Sequence, residues 1–332
     1  MNFGLNDEQR EIQSTAREFL SDRFKPDKVR ELAESRAYDD AIWSEISELG
    51  WPGIAVAEED GGQGLGLIEL VLIAEQTGYA LAPAPLMSTW NAALFLAEGS
   101  DEQRERWLPG VAAGETPAAA AFDERTERSV VPDAEGAAVL LLSAGEDSAR
   151  VVYPSEATIE PLDLIDTTRR YFKVSADGGE EIPGDADDAA NRACVALAAE
   201  LTGVAARAMD MAVDYAKERE QFGRAIGAYQ AVSHRCAQML YDVEESRSLT
   251  YYAAWTAGAE PESLPLASSM AKARASDAAR SVTAAALQVF GGIGFTWEHD
   301  LHFLLKRAWV SAELLGTARQ HRDRVASRVG LG

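Results

Sequence analysis

The sequence predicts a mainly α-helical protein with a small β domain in its middle, and three observations carry that prediction. Apolar residues recur at helical spacing through residues 1–114 and again through 189–332, where alanine is abundant. Between these stretches, residues 115–188 hold short apolar runs separated by turn formers. Charge marks the same division: residues 115–190 carry 18 Asp or Glu against 6 Lys or Arg, about half of the formal net charge of -23. With 332 residues, 47% of them hydrophobic, the chain is long enough for several domains and a large core.

In the first unit, Asn6 with Gln9 forms a capping box, and Ile12, Ala16, Phe19 and Leu20 fall on one helical face. Asp39 or Asp40 can cap a second helix that carries Ile42, Trp43, Ile46 and Leu49 and is closed by Gly50. The run Gly61-Gly62-Gln63-Gly64-Leu65-Gly66 breaks regular structure before an apolar helix from Ile68 to Thr77. Ser100 with Gln103 makes another capping box, and Pro109-Gly110 is expected to stop that helix. Strand signals then appear at residues 137–142, 150–153 and 171–174, while 177–188 reads as a solvated linker. From Ala189 on, helices are expected at about 189–218, 228–257, 263–290 and 298–313, joined by short turns as in an antiparallel four-helix bundle.

Composition removes several function classes. A surface this acidic lacks the Lys and Arg patches that nucleic acid requires, and it disfavours anionic membranes. Cys194 and Cys236 form no CxxC pair, and the four histidines, His234, His299, His302 and His321, form no metal-binding spacing. No apolar run is long enough to span a bilayer, and the first residues lack a leader pattern. The reading is a soluble, reduced, cytoplasmic protein.

Two segments carry chemistry. Arg219-Glu220-Gln221-Phe222-Gly223-Arg224-Ala225-Ile226-Gly227-Ala228-Tyr229-Gln230 interrupts two long helices. Its Arg219 offers a fork of donors suited to a pyrophosphate, Phe222 a flat apolar surface, and the glycines close backbone approach. On the residues alone, an interhelical turn with a surface arginine serves equally well. Gln288-Val289-Phe290-Gly291-Gly292-Ile293-Gly294-Phe295 ends the next long helix with more glycine than one C-cap needs. It reads either as an extended cap or as backbone laid against a ligand.

Together these motifs resemble the acyl-CoA dehydrogenase family. The N-terminal half agrees, in Leu49-Gly50-Trp51-Pro52-Gly53-Ile54-Ala55-Val56, in Gly61-Gly62-Gln63-Gly64 and in Trp107-Leu108-Pro109-Gly110. The resemblance implies an N-terminal helical domain (1–114), a reduced β domain (115–188) and a C-terminal four-helix bundle (189–332). It also implies FAD as cofactor, an acyl-CoA substrate and an electron-accepting flavoprotein. By the same resemblance Arg219, Gln221, Phe222, Gln230, Gln288, Gly291 and Gly292 grip the ADP end of an FAD whose ring lies in a neighbouring chain.

The chain also departs from the family. The Thr-Glu-Pro-Gly-type loop and the Trp-Ile-Thr-type strand that hold the flavin ring are missing between Glu115 and Asp188. Where relatives carry a catalytic Glu, this chain reads Leu314-Leu315-Gly316-Thr317, and Leu315 takes no proton. The alternative base position of the family falls on Asp277, a shorter carboxylate, which also reads as a solvated partner of Arg274 or Arg280. The chain is therefore similar to the shortened subunits of heterotetrameric (α2β2) acyl-CoA dehydrogenases that desaturate steroid side-chain thioesters in actinobacteria. Its expected role is to complete the FAD site of a second, full-length subunit. A purely structural subunit and a homotetramer with other flavin chemistry are the competing readings.

Overall fold

The computed structural model describes residues 4–121, 129–143 and 148–331. Six helices open the chain: α1 (Asp7–Arg23), α2 (Pro26–Ser35), α3 (Asp40–Glu48), α4 (Leu67–Ala80), α5 (Leu86–Leu96) and α6 (Asp101–Ala112). Their starts follow the local chemistry. Asn6 and Gln9 close a capping box on α1, Ser100 and Gln103 do so on α6, and Asp39 accepts from the amides of Ala41 and Ile42 on α3. Pro109 does not stop α6 as expected. The helix runs through it to Ala112, with Pro109 and Glu105 on the exposed face where water can serve the carbonyl that proline cannot.

The middle of the chain folds as two small sheets. The strands are β1 (Ala118–Ala121), β2 (Ser129–Pro132), β3 (Val139–Ser143), β4 (Ala149–Val152), β5 (Ala157–Leu162), β6 (Tyr171–Ala176) and β7 (Glu180–Glu181). One sheet has the order β1-β3-β4-β7, with β1 and β3 parallel, and the other is antiparallel in the order β2-β6-β5. Side chains alternate as a pleated strand dictates. Leu140, Leu142 and Val152 face Val131, Phe172 and Val174 of the second sheet. Val139, Leu141 and Val151 face Phe95, Leu108 and Ala193 of the helices. The expected linker at 177–188 is instead structured, since β7 pairs with β4 and the next helix begins at Ala186.

The rest of the chain is helical: α7 (Ala186–Glu218), the hairpin β8 (Glu220–Gln221) and β9 (Arg224–Ala225), α8 (Gln230–Ala259), α9 (Leu264–Phe290), α10 (Leu301–Ser311) and α11 (Ala318–Arg328). The four expected bundle helices are present with boundaries shifted by up to three residues, and α11 packs on α9 as an addition. The 33 residues of α7 reach about 50 Å and touch every other bundle helix and α4. Helices α4 and α7 cross at facing glycines. A methyl at Gly78 would lie 2.0 Å from the Glu200 carbonyl oxygen, and one at Gly203 1.9 Å from that of Glu75.

A buried ionic cluster locks the β domain to the bundle. Arg307 of α10, fully buried, donates to Asp166 at 2.9 Å, to Glu200 at 2.6 Å and to the Thr168 hydroxyl at 2.6 Å. Arg169 donates to the same Glu200 oxygen at 2.6 Å, and the Tyr171 hydroxyl to Asp166 at 2.7 Å. Burial alone would raise the pKa of Asp166, but the Arg307 charge beside it and its hydrogen bonds hold it below the usual carboxylate range. The sequence shows these residues only as a turn with paired charges. The fold makes that turn the junction between two units.

Candidate functional site

At one end of the bundle the structure brings both motifs together. Arg219 caps α7, and the two-residue turn Phe222-Gly223 joins β8 to β9 with φ angles of 53° and 80°, the geometry of a tight hairpin turn. The Ile226 amide donates to the Arg219 carbonyl at 2.8 Å, and the Tyr229 hydroxyl to that of Gln221 at 3.1 Å, so the hairpin is pinned to the start of α8. Phe222 is 93% exposed. Gln230, the first residue of α8, is exposed beside it. Tyr215, one turn before Arg219, stacks on Phe290 at 4.5 Å, which places Gln288, Gly291 and Gly292 next to the hairpin. Gly291 sits at φ 64° and ψ -139°, a conformation open to glycine alone, and nothing lies within 4 Å of where a side chain would stand at Gly291 or Gly292.

Gln221 donates through its side-chain amide to the Glu220 carbonyl at 2.7 Å, whereas Arg219 is uncommitted. Among the described residues the Arg219 side chain makes no ion pair, although the chain carries 54 acidic residues. Gln288 is exposed on the last turn of α9. An unpaired cation, a bare glycine turn and an exposed ring on one surface suit an anionic diphosphate with a flat base.

Asp277 is elsewhere. It lies nine residues before Ala286 on α9, about 16 Å along the helix from Gln288, and its carboxylate bonds Arg322 of α11 at 2.6 Å. Arg274 pairs instead with Asp242 and Glu245, and Arg280 with Glu313, so neither expected neighbour holds Asp277. His234, one turn beyond Gln230, is exposed.

A cavity of about 500 Å³ opens between the β domain and the bundle. Ala121 and Pro132 line it from one side, Asn91 and Leu197 from another, and Leu315 forms its floor. Asp277 is not among its lining residues, and Glu313, paired with Arg280 at 2.9 Å, is the one carboxylate there among the described residues. Part of the region where the ring-holding loop is missing from the sequence, residues 122–128, lies outside the described residues.

The floor of the cavity is held from behind by groups that the sequence reading missed. Leu315 has φ 56°, a strained angle for leucine, and Gly316 follows at 94°. Buried Lys272 donates to the carbonyls of Ala312 at 3.1 Å and Gly316 at 2.9 Å, and to the Ser276 hydroxyl at 3.0 Å. His321 donates to the Leu315 carbonyl at 2.8 Å. Burial pushes the Lys272 ammonium down to about 8. Burial, followed by the Lys272 charge, pushes the His321 imidazole down to about 3. The only sequence signal for Lys272 is a lone cation in an alanine-rich helix face.

The described chain thus combines a helical unit, a reduced pair of sheets and a long-helix bundle ending in a cation-and-glycine surface. Residues 6–115 match the family described as acyl-CoA dehydrogenase, N-terminal domain, and residues 186–330 match acyl-CoA dehydrogenase, C-terminal domain. The chain is 32% identical to acyl-CoA dehydrogenase IpdE2 of Mycolicibacterium smegmatis, over 98% of this chain and 100% of that one. It is similar to the solved Tcur3481–Tcur3483 steroid ACAD, with TM-score 0.90 and 28% identity over 97% of this chain and 98% of that one. The fold also matches the ChsE4–ChsE5 complex from Mycobacterium tuberculosis, at TM-score 0.90 and 23% identity over the whole of both chains. The chain belongs to the acyl-CoA dehydrogenase family, oxidoreductases that act on a CH–CH bond with FAD as cofactor.

Proposed function

We propose that this chain is one subunit of a two-component (α2β2) acyl-CoA dehydrogenase, in which its bundle end completes an FAD site whose ring pocket lies in a full-length partner subunit. The observation that carries this reading is the pairing of an uncommitted Arg219 beside the Gly291-Gly292 turn with a cavity floor that presents Leu315 where a base is needed. Arg219 grips the diphosphate through charge-assisted hydrogen bonds, and Phe222 covers the adenine face. Gln221, Gln230 and Gln288 donate to the phosphates and ribose, and Gly291 and Gly292 let the backbone approach. Bound there, FAD would supply the acceptor for the β-hydride of the thioester and a route for its electrons to an acceptor flavoprotein. The carboxylate that removes the α-proton comes from the partner, because Asp277 is tied to Arg322 outside the cavity. The substrate class is a bulky acyl-CoA of the steroid side-chain kind, supported by the likeness to a steroid ACAD.

The test is flavin content. Expressed alone, the chain purifies with little or no FAD. Expressed with its partner, it gives yellow protein with about one FAD for each pair of unlike subunits. Stoichiometric FAD on the chain alone overturns the reading in favour of a homotetramer.

A further inference from the structure

A second cavity, of about 150 Å³, lies where the N-terminal helices meet the bundle. It shares no lining residue with the cavity in front of Leu315. Its Arg207 stands twelve residues before Arg219 on α7, about 18 Å along the helix from the proposed flavin surface. Phe24 and Val29 line it from the start of α2, Leu81 from the end of α4, and Met211 and Leu304 from the bundle. Phe24, Val29, Leu81 and Leu304 are all buried, so the chamber favours an apolar body over water. A space of this size holds a single benzene-sized ring and is too small for a steroid or an acyl-CoA.

The charges beside this chamber are unevenly matched. Asp300 lines it, but Arg30 already holds that carboxylate at 2.5 Å. Asp210 accepts from the Tyr79 hydroxyl at 2.8 Å. Arg207 lines the chamber with its guanidinium 5.4 Å from the centre of the Tyr79 ring, and among the described residues it makes no ion pair. Arg17 lies over the same ring at 3.7 Å, also makes no ion pair there, and donates to the neutral Gln76 at 3.2 Å. Two arginines without an acid stand out in a chain with 54 acidic residues against 31 basic ones. Exposed Ser21 adds to the lining a hydroxyl without a hydrogen-bond partner among the described residues. A guanidinium fork at the edge of an apolar, ring-sized space is complementary to a carboxylate on a small apolar body. We propose that this cavity binds a small carboxylate with a ring-sized apolar body, the body in the chamber and the carboxylate on Arg207. Groups of α1, α2, α4, α7 and the cap of α10 surround it, so an occupant ties the N-terminal unit to the bundle and needs neither FAD nor a partner chain.

The experiment is calorimetric titration of the full chain, alone and in complex with its partner, with benzoate and with benzyl alcohol, which has the same ring and no charge. The expected result is that benzoate binds about 10- to 100-fold more tightly, the value of a charge-assisted hydrogen bond to a carboxylate. Benzoate should also raise the thermal midpoint as its concentration rises, because it binds the folded state alone. Arg207→Met removes the preference and keeps the affinity for benzyl alcohol, and Arg207→Lys restores part of the preference. Arg207→Gln stands in if the methionine variant does not fold. Ala80→Leu, which fills the cavity, abolishes binding of both probes, and Met211→Phe stands in for it on the same terms. Folding of each variant is read by circular dichroism. Failure of benzoate to bind, equal affinity for the two probes, a preference that survives without Arg207, or binding indifferent to the filled cavity in a folded protein each overturns the proposal.

Discussion

The Nε2–H of His321 donates to the carbonyl oxygen of Leu315 at 2.8 Å, so a buried imidazole fixes the residue that floors the cavity. The ring can donate this bond whether neutral or charged, but burial and then the nearby Lys272 charge keep it neutral down to about pH 3, against 6.5 in an unfolded chain. Stability from this group is therefore complete above pH 6.5 and lost progressively as pH falls towards 3. Thermal melts across that window should show a falling midpoint, and His321→Gln, which keeps a donor, should show a shallower fall. Parallel slopes for the two proteins would remove His321 from the acid response.

Lys272 gives the opposite signature. Its folded-state value of about 8 lies below the ordinary 10.5, so keeping the ammonium charged in the interior costs stability at lower pH. Stability should rise as pH climbs from about 8 to 10.5, and Lys272→Met should abolish that rise. At neutral pH the same variant leaves the carbonyls of Ala312 and Gly316 without their donor, a loss of about 1–3 kcal/mol partly offset by relief of the buried charge. Urea unfolding at several pH values separates the two effects.

Arg307 should be the costliest single change. Arg307→Met strands Asp166 in the interior without a cation and leaves Glu200 with Arg169 alone, and about 3–5 kcal/mol of stability should go with it. Because the cluster joins the β domain to the bundle, the β domain should also lose protection from proteolysis. A variant as stable as the parent would mean that the cluster is replaceable by packing.

Caps, long helices and glycine breaks were legible because each is written in neighbouring residues: Asn6 with Gln9, Ser100 with Gln103, Phe222 with Gly223. Strand β1 was not, since Ala118–Ala121 has no strand preference and is held by parallel pairing to β3. Helix α11 was not either, because it is mostly polar and buries only His321 fully. The Arg307 cluster needs residues 141 positions apart, a distance no local pattern encodes. The surface proposed for the cofactor is written in the order Arg, Phe, Gly. The clamp beneath Leu315 was not, because Lys272 and His321 bond backbone carbonyls, which leave no mark in the sequence.

Arg219 is exposed and, among the described residues, makes no ion pair, so removing it should leave the fold intact and act on the cofactor alone. In the assembled complex, Arg219→Ala should weaken FAD by about 10- to 100-fold, the value of a charge-assisted hydrogen bond to phosphate. Arg219→Lys should recover part of this, since a lysine keeps the charge but not the fork. Flavin fluorescence titration gives both numbers. An unchanged affinity would reduce Arg219 to the cap of α7.

Asp277 decides where the proton goes. Its ion pair with Arg322 joins two side chains that are 47% and 57% accessible, so Asp277→Asn should change stability by less than about 1 kcal/mol. The carboxylate lies outside the cavity lining, and the one carboxylate in that lining among the described residues, Glu313, is paired with Arg280. Turnover of the complex should therefore stay near the parent value, with flavin content unchanged, as expected when the partner supplies the base. A general base lost in such a reaction costs about 10²–10⁴ in rate, a gap no assay would miss. A fall of that size with FAD still bound would transfer the catalytic role to Asp277, and would require Arg322 to release it as the thioester arrives. Arg322→Ala tests that release separately: freeing the carboxylate should raise turnover if Asp277 is the base and leave it unchanged if the partner is.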